Sequence, residues 1–201
     1  MISIIDVGVG NFNSVSNMIK KLGFQVELIN DYDLISKSNI LILPGVGRFD
    51  IFIEKIFNKK IDLAIKNAIV NGAKILGICV GMQVLLDCSE EGSVKGLGLI
   101  EGNVKKFDNS SNKKLKIPHM GWNNVFFNNN NKIFDGLGVN KFYFIHSYYA
   151  DLKDKNNIIG MTNHGSDIPA VINKDRIYGV QFHPEKSHQF GAKFIKNFLD
   201  A

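Results

Sequence analysis

The amino-acid sequence predicts an α/β protein with a central, mostly parallel sheet that carries an antiparallel extension. Strand-like and helix-like apolar patterns alternate through the first half, which is the rhythm of βαβ units. Segment 74–79, KILGIC, is continuous in its apolar residues, as parallel strands covered on both faces are. The second half carries short strand-like runs separated by turn residues, which suits antiparallel pairing.

Taken in order, ISIIDV opens as a strand, and SVSNMIKKLG follows with Val15, Met18, Ile19 and Leu22 at helical spacing. FQVELI and NILILP are the next strands. One helical stretch is expected over 50–70, ending at Asn71-Gly72, because glycine accepts the left-handed conformation that stops a helix. KILGIC is then the buried central strand. The runs GLGLIEGNVKKF, KFYFIHSYY, NIIGMT, PAVIN and RIYGVQF supply the extension. The closing segment HQFGAKFIKNFLDA places Phe190, Phe194, Ile195 and Phe198 on one face of an amphipathic helix. The asparagine tract Asn128–Asn131 reads as a surface loop.

With 201 residues and 45% hydrophobic content, the chain suits one well-buried core, hence a single domain over 1–201. The start, MISIIDVGVG, has no basic leader, and no apolar run approaches the roughly 18 residues of a membrane span. A soluble, cytoplasmic protein is expected. Net charge is +5, yet all of the 24 basic residues except Arg48 and Arg176 are lysines scattered among asparagines. Lysine lacks the planar fork that reads guanine, so a solvated surface is expected here, without nucleic acid. The five histidines show no paired metal-ligand spacing. GVGN at 8–11 lacks the third glycine of a dinucleotide fingerprint, and there is no P-loop; neither a metal nor a cofactor is expected. Cys79 and Cys88 would lie about 13 Å apart on one helix, too far for a disulfide, so at least one thiol is free.

The candidate chemistry begins at GICVGMQ, residues 77–83, where Cys79 ends the central strand. A sharp strand-to-helix junction holds such a residue at the top of the sheet with its side chain exposed, facing helix N-terminal amides. A cysteine profits because its thiolate is the nucleophile. Gly77 and Gly81 permit the tight backbone. An inert buried cysteine would share this context. In GVQFHPEKS, residues 179–187, Pro184 disfavours helix at His183, so His-Pro-Glu should run extended with His183 and Glu185 on one side. A carboxylate there fixes the imidazole tautomer; a surface salt bridge would look the same. LPGVG, residues 43–47, follows the strand NILIL, and backbone amides near Val46 and at Val80 would form a two-donor oxyanion hole. An ordinary turn is the alternative.

The motifs GICVGMQ, LPGVGRFD, SEEGSVKGLGLIEG, KIPHMGWN, YFIHSYY and GVQFHPEKS occur in that order along the whole chain. Together they resemble the class I glutamine amidotransferases, and PHMGWN, GLGLIEG and FIHSYY resemble the subgroup that feeds imidazole glycerol phosphate synthesis. The resemblance implies a flavodoxin-like three-layer fold and hydrolysis of L-glutamine to glutamate and ammonia, with Cys79, His183 and Glu185 as the triad. It implies substrate contacts at Gly47, Gln83, Glu91, Ser147 and Tyr148, Glu91 suiting the substrate ammonium group. It also implies a heterodimer with a (βα)8-barrel cyclase subunit, docked over Asn11, Trp122 and Lys186. A core Trp122 is equally compatible with the sequence. Isolated subunits of this kind are nearly idle, which fits an oxyanion segment that turns its amide inward when the partner signals. Val80 stands where the family more often has leucine, which leaves the chemistry untouched. Three other readings remain open: a paralogue whose ammonia amidates a surface sugar, a free-standing γ-glutamyl hydrolase, and a pseudo-subunit that only binds a partner.

Overall fold

The computed structural model describes residues 1–108, 115–127, 131–138 and 140–201. Most of the Asn128–Asn131 tract lies outside the described residues. The first half alternates as expected: β1 (Ile2–Ile5), α1 (Phe12–Lys21), β2 (Val26–Ile29), a short α2 (Tyr32–Ser36), β3 (Ile40–Gly45), α3 (Phe49–Asn58), α4 (Ile61–Val70), β4 (Lys74–Cys79) and α5 (Val80–Gln83). Two of these differ from expectation. The helix over 50–70 is two helices, broken where Lys60 takes a left-handed backbone with φ of 55°. Apolar periodicity persists through the break, since Ile56 and Ile61 are both buried, so the pattern hides it. Helix α2 went unread because Asp31, which caps it by accepting from the amides of Asp33 and Leu34, precedes only five helical residues.

The second half comprises β5 (Cys88–Ser89), β6 (Val94–Lys95), β7 (Gly102–Lys106), β8 (His119–Asn123), β9 (Phe126–Phe127), β10 (Phe142–His146), β11 (Tyr148–Leu152), β12 (Ile158–Asn163), β13 (Asp167–Lys174), β14 (Ile177–Val180) and the closing α6 (His188–Asp200). The main sheet runs β2-β1-β3-β4-β14-β13-β12-β9. Its first five strands pair in parallel, in the order of a flavodoxin-like sheet, and β13, β12 and β9 add the antiparallel extension. Helices α1 and α6 pack together, as do α2, α3 and α4, so the sheet lies between two helical layers.

Two smaller sheets were not anticipated. KFYFIHSYY is not one strand: β10 pairs with β8 in a ribbon, and β11 joins β7, β5 and β6 in a second sheet. The chain changes sheets at Ser147, between the two strands. Phe142, Phe182 and Phe194 are fully buried and in mutual ring contact, with Phe142 and Phe182 stacked at 4.0 Å. Each such ring contributes about 2–3 kcal/mol of burial. The cluster ties α6 and the β10 ribbon to the segment that carries Gln181 and His183.

Candidate active site

Parallel α/β sheets offer ligand sites beyond the carboxyl ends of their strands, and the candidate residues collect there. Cys79 ends β4, Val46 and Gly47 follow β3, and Asn11 lies in the connection after β1. Cys79 adopts φ 55° and ψ −111°, a conformation that costs a non-glycine residue about 1–3 kcal/mol. The turn is tight: a Cβ on Gly81 would come 1.8 Å from the Leu43 carbonyl oxygen, and one on Gly77 would come 2.4 Å from the Gly81 oxygen. Glycine is therefore required at both positions. The expected exposure of the thiol is corrected, since Cys79 is only 4% exposed. The helix after it is also a single turn of four residues, so its dipole is small and individual donors matter more.

His183 keeps the expected extended backbone and bonds its amide to the Tyr143 carbonyl at 2.8 Å. Pro184–Lys186 then forms a 3-10 turn, which corrects the extended reading of His-Pro-Glu. Proline's fixed φ favours the first position of a helical turn. The Lys186 amide and the Ser187 hydroxyl both donate to the His183 carbonyl, which closes the turn. The side chains still meet: His183 Nδ1 donates to Glu185 Oε1 at 2.8 Å, with both groups buried. Asn11 Nδ2 donates to the same oxygen at 3.0 Å. Asn11, expected on a partner surface, thus commits its carboxamide to the Glu185 carboxylate.

Burial opposes charge on the His183 ring. Hydrogen bonds to Cys79 and Glu185, with the negative charge of those partners, outweigh it and push the ring up to about 10. Burial likewise works against the Glu185 carboxylate, but its hydrogen bond to His183, the charge of that ring and the Asn11 bond hold it below the ordinary range.

A cavity of about 360 Å³ is lined by Val46, Gly47, Cys79, Val80, Gln83 and Glu91 on one side, and by Ser147, Tyr148, His183 and Lys186 on the other. That is within the ~300–1,000 Å³ of small-molecule sites. Every residue singled out for the triad, the oxyanion hole and the substrate therefore borders this cavity except Glu185, which sits behind His183. Glu91 Oε2 accepts from the Phe49 amide at 2.8 Å. Pro118, Ile145 and His146 also line the cavity and were not foreseen.

Beside the cavity, Trp122 is 45% exposed, which decides against a core position. It stacks on His188 with centroids 5.2 Å apart and meets Tyr143 edge-on; Lys186 Nζ lies 5.7 Å from the same Tyr143 ring. The register pairs Trp122 with Tyr143 and Met120 with Ile145. Met120 and Ile145 are exposed as well, so the β8–β10 ribbon presents an apolar face next to the cavity.

The opposite face of that ribbon holds two neutral histidines. His146 Nδ1 bonds the Tyr148 carbonyl at 2.8 Å, His146 Nε2 meets His119 Nδ1 at 2.9 Å, and Asn123 Nδ2 faces His119 Nε2 at 3.2 Å. A carbonyl only accepts, so this direction demands one proton per ring. Burial, aided by the nearby His164, holds His119 down at about 4. Burial also takes His146 down to about 3, against the pull of the Tyr148 carbonyl and with help from the neighbouring histidines. The unfolded rings titrate near 6.5, so below that pH the unfolded chain binds protons that the native one refuses. Stability conferred by these rings is complete above 6.5 and declines as pH falls. His183, whose value is raised, loses its contribution only as pH rises above 6.5. Urea unfolding at pH 6.5 and pH 5 is expected to differ by about 1.5 kcal/mol per ring, and His146→Gln should halve that difference. An unchanged midpoint would mean that the rings are charged in the native protein.

Among the described residues, no group of three or more His, Cys, Asp or Glu side chains could hold a metal ion, and no helix is long and apolar enough to cross a membrane. Both cysteines are free.

The glutamine amidotransferase class-I family model matches residues 3–201. Imidazole glycerol phosphate synthase subunit HisH 2 of Methanococcus maripaludis is 50% identical over 204 residues, which cover 99% of this chain and 98% of that protein. The HisH subunit of Leptospira borgpetersenii is 43% identical, covering 98% of each. Among solved structures, PurLQS from Thermotoga maritima superposes with a TM-score of 0.75 at 20% identity, over 99% of this chain and 97% of that one. A glutamine amidotransferase crystal structure gives 0.74 at 16% identity, over 100% and 98%. Those structural likenesses speak for the fold, while the family match and the full-length relatives speak for descent. This chain belongs to the class-I glutamine amidotransferase family.

Proposed function

We propose that this chain, as one catalytic domain over 1–201, hydrolyses L-glutamine to L-glutamate and ammonia through a thioester on Cys79. The ammonia passes to a (βα)8-barrel cyclase subunit, and the heterodimer makes imidazole glycerol phosphate and an aminoimidazole carboxamide ribotide in cytoplasmic histidine biosynthesis. One observation carries the reading: the buried His183–Glu185 pair opens on the cavity that holds the strained Cys79. The Cys79 sulfur attacks the side-chain carbonyl carbon of glutamine, and the amides of Val46 and Val80 take up the oxyanion. His183 gives its proton to the departing ammonia, then takes one from the water that cleaves the thioester. Glu185 and Asn11 keep the ring in the tautomer that faces the sulfur. Glu91 suits the substrate ammonium group, while Gly47, Gln83, Ser147 and Tyr148 shape the rest of the pocket.

The partner surface is the apolar ribbon face with Trp122 and Lys186. Exposed Trp122 beside Tyr143 offers the aromatic residue types that anchor interfaces, and docking there would cap the cavity and keep ammonia from being protonated in bulk water. The relatives named above are subunits of imidazole glycerol phosphate synthase, which supports this acceptor over a surface-sugar synthase. The test is a glutaminase assay with and without the barrel subunit. Turnover should need the partner and rise further with the cyclase's nucleotide substrate. Full glutaminase activity of the chain alone, or ammonia delivery only to a different synthase, would count against the reading.

A further inference from the structure

The hydrogen bonds beside the cavity have a direction that can be read from one atom. The Tyr148 carbonyl oxygen can only accept, and it accepts from Gln83 Nε2 at 3.1 Å. That fixes the Gln83 carboxamide. The second atom that Gln83 Nε2 meets, also at 3.1 Å, must be an acceptor, and it is Gln181 Oε1. The Gln181 amide nitrogen is thereby turned the other way, and it lies 3.8 Å from Cys79 Sγ. Gln181 is fully buried, and its backbone is pinned by a 2.9 Å bond to the Ala170 carbonyl.

Besides the His183 ring, which hydrogen-bonds it, the sulfur meets the Ile145 carbonyl at 3.9 Å, an acceptor that favours the protonated thiol. An anionic sulfur loses that bond and keeps a repulsive oxygen nearby. A fixed N–H donor offsets this, and a hydrogen bond to an ion is stronger than one to a neutral group. We propose that Gln181 is a further catalytic residue of this site, donating its amide N–H to Cys79 and stabilising the sulfur as an anion. The same bond helps at attack and again when the sulfur leaves the thioester. Gln83 acts through Gln181 as a positioning residue, in addition to its place in the pocket wall. The inference rests on the reading of Cys79 as nucleophile.

The test uses the complex with the barrel subunit in a Cys88→Ser background, following iodoacetamide alkylation of the Cys79 peptide by mass spectrometry across pH. Gln181→Leu removes the donor, and the isosteric Gln181→Glu replaces it with a negative charge at the same volume. Both should lower alkylation at pH 7 about tenfold, the cost of losing a hydrogen bond to a charged group. The difference should close at alkaline pH, where the sulfur is anionic in either protein. In parallel, kcat should drop about tenfold with KM within about twofold. A folded variant of either kind with a wild-type alkylation profile and kcat overturns the proposal, and Gln181→Glu decides the matter if Gln181→Leu does not fold. Should Cys79→Ala itself retain glutaminase activity, the nucleophile reading fails instead. A dead Cys79→Ala beside unaffected Gln181 variants condemns Gln181 alone.

Discussion

Cys79→Ala is expected to bring glutamine-dependent synthesis by the complex to background, a loss on the order of 10⁵-fold or more, because removing a nucleophile removes every later step. Ammonia-dependent synthesis should survive. The two outcomes separate chemistry from architecture. The alanine keeps the Cβ and the left-handed backbone of the elbow, so the Leu43–Gly81 contact that packs the turn remains. Only the sulfur is lost, together with its bond to the His183 ring and its weak bonds to Ile145 and Gln181. A partner fed with ammonium salts bypasses the glutaminase and should run at its usual rate. If both activities disappear, the cysteine supports docking or folding. Cys88 is the internal control: it sits on β5 in the second sheet, with its thiol bonded to Asn103 Oδ1 at 2.9 Å, and it does not line the cavity.

Much of this site is legible in the sequence because its parts depend on local rules. A continuous apolar strand ending in Gly-x-Cys-x-Gly announces an elbow, since only small residues tolerate the approach seen between Gly77 and Gly81. In His-Pro-Glu the imidazole and the carboxylate are close enough in the chain to meet whether the backbone is extended or turned, and so the two side chains pair although the local conformation differs from the extended one expected. What stayed hidden depends on long-range pairing. Asn11 meets Glu185 across nearly the whole chain, and no periodicity relates the two. His119 and His146 face each other because β8 and β10 pair in one register, whereas the sequence around them reads as ordinary strand. Gln181 is within reach of the sequence: it lies two residues before His183 in a segment expected to be extended, and the two-residue period of extended chain that pairs His183 with Glu185 also places Gln181 on that side. The four-stranded sheet is hidden because strands of two residues, Cys88–Ser89 and Val94–Lys95, have no pattern to recognise, and the β8–β10 ribbon because KFYFIHSYY reads as one continuous strand across the change of sheet at Ser147.

Glu185→Gln is expected to lower kcat on the order of 10³-fold while KM changes by less than about threefold. Loss of the orienting carboxylate in a comparable triad costs about 10⁴-fold when the imidazole is left in the wrong tautomer. Here that extreme is moderated by Asn11. Both Asn11 Nδ2 and His183 Nδ1 point donors at Oε1, so a glutamine will tend to keep its own oxygen there and preserve the tautomer. Its amide nitrogen then occupies the place of Glu185 Oε2, a buried atom without a hydrogen-bond partner among the described residues, where an N–H group is equally unsatisfied. The main loss is the negative charge that supports an imidazolium. Removing Asn11 as well, in Asn11→Ala with Glu185→Gln, lets the amide turn and should carry the loss towards 10⁴-fold. The pair also predicts a stability signature. Glu185 is held below its ordinary 4.5 and His183 above its ordinary 6.5. The carboxylate contribution is thus complete above 4.5 and lost as pH falls through its lower folded value, whereas the ring's is complete below 6.5 and lost as pH rises towards 10. Wild type should therefore exceed Glu185→Gln in unfolding free energy by the widest margin between pH 4.5 and 6.5, the margin narrowing on either side. A loss of kcat under tenfold, with no such maximum in urea unfolding, would remove Glu185 from the triad.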